Sequence, residues 1–249
     1  MHRFIVFRLY GPLAAWGDIA VGEQRPSTPH PSKSAVLGLV AAALGIQRDD
    51  DPAHASLQRG YGFAVRVDSA GVPLRDYHTS QYAKSTTRLH HLRTRRDELA
   101  DPGNRATVLS TRDYRADALY TACLHHRPGG SAPPAEAIAA ALAKPGFIPY
   151  LGRRSCPAAL PLSPRVIEAQ DFSAALAAYD RAEQGGERAQ FLEGLSPRGR
   201  IKEPGYYWED GVPAALGVVH TTPRYDQPMS RARRQFAPRT EHFANQGGD

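Results

Sequence analysis

Arg3-Phe4-Ile5-Val6-Phe7-Arg8-Leu9-Tyr10 is dominated by branched and aromatic residues. Such a run favours a strand, central in its sheet, and Gly11-Pro12 ends it. Leu13–Pro31 follows as a proline-rich loop without helical period. Ser32-Lys33-Ser34 then offers capping hydroxyls to a helix that is apolar on every side from Ala35 to Leu44 and stops at Gly45. A helix apolar all round is expected to be buried. Tyr61–Asp68 alternates apolar and polar residues as a second strand, and Ala118–His126 reads as a third. A second helix starts at Pro133-Pro134 and runs to Ala143, and Pro164–Ala169 gives a fourth strand. The order βαββαβ fits an α+β fold with a ferredoxin-like core.

The segment between the second and third strands has a different character. Asp76–Arg115 is polar and carries His78, Arg88, Arg93, Arg95, Arg96 and Arg112. Some forty residues of this kind inside a compact domain read as a protruding arm or hairpin. The expected organisation is a core of residues 1–75 and 116–170, an inserted basic arm at 76–115, and a C-terminal extension at 171–249. In that extension Phe172–Ala182 reads as a helix and Ala214–Thr221 as a late strand. Arg224–Arg239 reads as a basic tail, with five arginines against one acid, Asp226.

The chain has 249 residues, 41% of them apolar, enough to bury a core. Its net charge is +6, which favours an anionic partner, nucleic acid first, or else serves solubility alone. Two cysteines, Cys123 and Cys156, make neither a disulfide framework nor a zinc site, and they suit a reducing cytoplasm. The longest apolar run is too short to span a bilayer, so no membrane association is expected.

Four constellations are candidates for binding. At the loop–helix junction, Arg25, Lys33 and Ser34 surround a helix start whose free amides attract phosphate, although an ordinary cap beside two surface cations gives the same pattern. Tyr150-Leu151-Gly152-Arg153-Arg154-Ser155 places glycine between an aromatic and two cations. This suits a loop whose backbone approaches a ligand, and equally a turn with solvated arginines. Cys156 beside it reads as a packed thiol. The arm run Arg88–Arg96 fits RNA backbone or a protein neighbour. In the tail, Arg234-Gln235-Phe236 mixes a cation, an amide and an aromatic as single-strand RNA contacts do. Gln47 and Arg48, just past the first helix, fit either RNA or a neighbouring subunit. Trp16 reads as a core plug more readily than as a stacking platform.

For catalysis the sequence offers little. No HExxH, Walker loop, GxSxG or paired-carboxylate motif occurs, and no metal or cofactor is expected. Metal-independent RNA cleavage needs a base, an acid and a cation at one phosphate. His125 and His126 are adjacent on a strand and face opposite ways, while His78 and His220 are candidates by residue type only.

Four stretches, in order, resemble the Cas5 family of type I-E CRISPR Cascade complexes. They are Leu9–Gly17 (LYGPLAAWG), Pro31–Leu39 (PSKSAVLGL) running on to Leu44–Asp50 (LGIQRDD), Pro149–Pro157 (PYLGRRSCP), and Arg233–Ala237 (RRQFA) with Arg239. The resemblance implies an RRM-related, RAMP-type ferredoxin-like core with a thumb-like hairpin and a β-rich C-terminal extension. It implies a non-catalytic subunit that grips the 5′ handle of CRISPR RNA, caps the Cas7 backbone and contacts the large subunit Cas8e (Cse1), in antiviral defence. Target DNA would be met through the assembled complex. The alternative is a metal-independent endoribonuclease processing precursor CRISPR RNA, as Cas5 does in type I-C systems.

Overall fold

The computed structural model describes residues 1–84, 93–184, 200–230, 233 and 235–245. In chain order the first half holds β1 (His2–Tyr10), β2 (Leu13–Ala14), β3 (Gln24–Arg25), α1 (Lys33–Ala43), α2 (Asp51–Gly60), β4 (Tyr61–Ser69) and β5 (Val72–Ala83). Then come α3 (Arg95–Glu98), β6 (Arg105–Ala116), β7 (Leu119–His126), α4 (Ala135–Ala143), β8 (Arg165–Ala169) and α5 (Phe172–Glu183). Three long strands follow: β9 (Arg200–Glu209), β10 (His220–Ser230) and β11 (Gln235–Asn245). The result is a mixed α/β fold with two sheets.

The larger sheet has the order β10-β11-β9-β4-β7-β1-β8, and its pairs are antiparallel. β1 lies inside it, between β7 and β8, as its composition predicts. Its alternation feeds two cores. Ile5, Phe7 and Leu9 join the layer of α1 and α4, while Phe4 and Val6 join Phe172, Leu176 and Tyr179 of α5 on the opposite face. Each fully buried Phe or Leu contributes about 1.5–3 kcal/mol, so a two-faced strand anchors the sheet from both sides. Arg66 on β4 ties α5 down: its guanidinium donates to both Asp180 oxygens at 2.6 and 2.9 Å and to Asp68.

The smaller sheet is built on the hairpin of β5 and β6, paired from Val72↔Ala116 to Ala83↔Arg105. It begins four residues earlier than the polar composition suggests. β2 and β3 pair along β6 near its root.

Two expectations are corrected, and one helix is added. The apolar stretch at 214–219 is not a strand: Ala214 is a buried plug of the second core, Ala215 has φ +52°, and Val218 and Val219 are exposed. The strand begins at His220. The basic segment from 224 to 239 is no free tail, because β10 and β11 extend the large sheet beyond β9. α2 was not legible from apolar period. It starts where the Asp50 carboxylate accepts from Ala53 N–H at 3.1 Å with Pro52 in the first turn, and it buries Leu57. Among the described residues no helix is long and apolar enough to cross a membrane.

Candidate functional site

α1 starts and stops as its sequence dictates. The Ser32 hydroxyl accepts from Ala35 N–H at 3.2 Å, and Gly45 takes φ +75° after the last turn. The helix is not covered on all sides, however. Ser34, Ala35, Gly38 and Ala42 are only half-buried and line a cleft of about 440 Å3. Small side chains on that stripe leave the space open. The other walls are Ile46-Gln47-Arg48, His54 and Phe147-Ile148-Pro149-Tyr150 with Gly152. Backbone bonds hold the walls, with Gly146 N–H donating to Ala43 O at 2.8 Å and Phe147 N–H to Ala42 O at 3.0 Å.

Five sequence candidates therefore meet in one place: Ser34, Gln47, Arg48, Tyr150 and Gly152. Gln47, Arg48 and Tyr150 are exposed, as are Arg154 and Ser155 on the adjoining loop. Arg48 and Arg154 have no ion-pair partner among the described residues. Exposed Ile148 and Phe147 add an apolar lip. An aromatic, an amide, a hydroxyl and two uncommitted guanidiniums suit an anionic chain with flat apolar parts, which is the chemistry of a single-stranded nucleic acid. Exposed Gln235, the first residue of β11, pairs opposite Ser230 at the end of β10. The Ser230 hydroxyl donates to Asp51 at 2.6 Å, which sets the end of β10 beside the start of α2, three residues beyond Arg48. Arg234 and Arg88 lie outside the described residues.

Other candidates are engaged by the chain itself, some of them buried and Arg25 still exposed. The Lys33 ammonium is buried and donates to both Glu209 oxygens at 2.7 and 2.9 Å. Burial lowers its pKa, and Glu209 opposes that shift. Its backbone N–H donates to Asp226 at 2.8 Å, so the chain's own carboxylate occupies the helix start expected to attract phosphate. Arg239 donates to both Asp226 oxygens and to Glu241, and Glu241 also faces His30 at 3.3 Å and Arg224 at 3.6 Å. Burial alone would raise the Glu241 pKa, but His30, Arg239 and Arg224 pull it down to about 2. The Arg25 guanidinium donates to the Gly22 and Gln24 carbonyls. Arg153 donates to the Asp113 and Arg25 carbonyls. Gly152 has φ +89°, and a Cβ there would overlap the Ala15 carbonyl. The close approach that requires glycine here is to the chain itself. Cys156 is a packed thiol raised by burial, and Trp16 is a core plug set edge-on to Tyr120.

The arm candidates spread along the hairpin. His78 is on β5, 3.2 Å from Asp76, and the Arg112 Nε on β6 donates to Ser110. Arg93, Arg95 and Arg96 are exposed around α3, where Arg95 pairs with Glu98. His2 and His125 pair at 3.2 Å on the large sheet, and neither lines the cleft. His54 lines the cleft with Nε2 3.0 Å from the Gln47 carbonyl. His125 faces Phe4 and His126 faces Tyr61, on opposite sides of the sheet. Burial, with His2 and Arg127 nearby, lowers His125 to about 4, which keeps it neutral at pH 7. The buried ionic seam of Lys33, Glu209, Asp226, Arg239 and Glu241 escapes sequence reasoning, because its partners lie up to 193 positions apart.

Comparison with known proteins bears on the family and the fold. The family model described as CRISPR-associated protein (Cas_Cas5) matches residues 4–241. The CRISPR system Cascade subunit CasD of Escherichia coli strain K12 is 32% identical over 256 residues, spanning 100% of this chain and 98% of that protein. A chain of a solved CRISPR RNA-guided surveillance complex superposes with TM-score 0.62 at 26% identity, covering 97% of this chain and 89% of its own. A crystal structure of a Cas protein gives 0.57 at 25% identity, covering 97% and 94%.

Proposed function

Because this chain belongs to the Cas5 family of CRISPR-associated proteins, we propose that it is the non-catalytic subunit holding the 5′ handle of CRISPR RNA in a Cascade surveillance complex. The observation that carries this reading is the meeting of Ser34, Gln47, Arg48, Tyr150 and Gly152 around one open cleft, with Arg154 and Ser155 beside it. A handle base stacks on Tyr150, while Arg48, Arg154 and the tail cations Arg233 and Arg234 neutralise phosphates. Gln47 and Gln235 supply base-edge contacts. In this reading residues 1–75 and 116–170 form a ferredoxin-like, RRM-related core, a reading supported by the strand order β8-β1-β7-β4 with α1 and α4 on one face. The hairpin of β5 and β6 is then the thumb. Its cations (His78, Arg88, Arg93, Arg95, Arg96 and Arg112) meet RNA or the Cas7 backbone, and residues 171–249 form the extension. Contact with Cas8e, and with target DNA through the assembly, follows in the same reading, in the cytoplasm.

Non-catalysis is supported by the cleft's histidine content. Among the described residues His54 is the one histidine lining the cleft, and its Nε2 lies against the Gln47 carbonyl, so no pair of histidines is assembled there to share acid and base roles.

The test is binding of repeat-derived single-stranded RNA as salt is varied. Neutralising about six phosphates gives a slope of log affinity against log salt near −4. A slope near zero, or crosslinks that avoid Tyr150 and Arg154, would defeat the assignment. Site-specific cuts in EDTA that vanish on replacing one histidine would establish the endoribonuclease instead.

A further inference from the structure

Arg153 and Arg154 are adjacent in sequence and differ in every contact. Arg154 is exposed, with no partner among the described residues. Arg153 sits where three segments meet. Its Nη1 donates to the Asp113 carbonyl on β6 at 3.2 Å, and its Nη2 donates to the Arg25 carbonyl on β3 at 3.0 Å. Its guanidinium lies 4.6 Å from the centre of the Tyr114 ring, itself buried. Asp113 is in turn gripped by Arg75 of β5, whose Nε and Nη2 donate to the two carboxylate oxygens at 2.8 and 3.2 Å. The loop that carries Arg153 is closed on itself by Leu151 N–H to Cys156 O at 2.7 Å and by Cys156 N–H to Arg153 O at 2.8 Å. It is joined to the first loop by Ala15 N–H to Leu151 O at 3.0 Å.

We infer that Arg153 is a positioning residue that couples the root of the β5–β6 hairpin to the RNA-holding loop, so that the two bind their partners as one unit. The inference rests on the RNA reading above but assigns Arg153 a different task from Arg154. A planar fork can bond two carbonyls and stack on a ring at once, whereas an ammonium of equal charge cannot. A phosphate contact, by contrast, tolerates lysine and shows in the salt dependence.

The test uses the full chain as Arg153→Lys, Arg153→Ala and Arg154→Ala, with repeat-derived single-stranded RNA as the probe. Affinity is measured against salt, and hydrogen exchange is followed at residues 24–25 and 111–113 without RNA. For Arg153→Lys, affinity falls about tenfold with the slope unchanged, as expected for losing directed charged hydrogen bonds. Exchange at both segments accelerates while β1 and β7 stay protected, which shows that the fold persists. For Arg154→Ala the slope becomes shallower by about 0.7 and exchange is unchanged. Wild-type affinity in Arg153→Lys, with a slope loss in Arg153→Ala matching that of Arg154→Ala, would make Arg153 a phosphate contact and overturn the inference. So would unchanged exchange at β3 and β6. If the wild-type chain binds no RNA, the functional reading falls and the coupling falls with it, whereas a failure confined to the Arg153 arms leaves that reading standing.

Discussion

Two regions border the start of α1 and use the same residue types to opposite ends. On one side is the buried seam of Lys33, Glu209, Asp226, Arg239 and Glu241. There every cation is matched by carboxylates, and the C-terminal hairpin is fastened over the helix start. On the other is the open cleft, where Arg48 and, on the adjoining loop, Arg154 face solvent. A charge taken out of water must be satisfied within the protein, and once satisfied it has nothing left for a ligand. A charge left at the rim contributes little to folding and stays available to an anion. The comparison teaches that proximity to a phosphate-attracting helix start does not make a lysine an anion site. What decides is whether the fold supplies the anion itself.

The sharpest way to break this comparison is Lys33→Ala. It strands Glu209 without its strongest partner in the core, so stability should fall by about 3–5 kcal/mol in denaturant unfolding. A loss under about 1 kcal/mol, the range of surface pairs, would mean that the seam is not a buried one.

The seam also predicts an acid limb. Glu241 titrates near 2 when folded, against 4.5 as its ordinary value. A depressed folded pKa gives stability that is present above 4.5 and lost as pH falls towards 2. The full effect is about 3 kcal/mol, from 1.36 kcal/mol per unit. Unfolding free energies between pH 5 and pH 2 should show this slope, and Glu241→Gln should flatten it. An equal slope in that variant would move the effect to other carboxylates.

At the cleft the effects turn from stability to binding. Tyr150→Ala should weaken repeat-derived RNA by about 1–3 kcal/mol, with Tyr150→Phe near wild type, if the ring stacks on a base. Its unfolding midpoint should barely move, since the side chain is 44% exposed. A large drop in stability with unchanged RNA affinity would place Tyr150 among the structural residues instead.

The legible parts of this protein are those governed by local chemistry. β1, α1 with its Ser32 cap and Gly45 stop, β4, β7, α4, β8 and α5 are set by periodicity, capping and punctuation, and the structure follows them within a few residues. The hairpin of β5 and β6 announces itself by polarity. The cleft was half legible: Gln47, Arg48 and Tyr150 stood out by residue type, yet their convergence depends on backbone bonds between the end of α1 and the segment after α4.

What tertiary structure alone decided is which cations are free. Lys33, Arg153 and Arg154 look alike in sequence as basic residues beside small or hydroxyl-bearing ones. Glu209, 176 positions from Lys33, and the Asp113 and Arg25 carbonyls, 40 and 128 positions from Arg153, claim those two cations, while Arg154 has no partner among the described residues. Local pattern fixes which face a residue joins and where an element stops, because those depend on neighbours within a turn or two. The pairing of a charge depends on what distant chain folds over it, and that is set by how the sheets and helices pack.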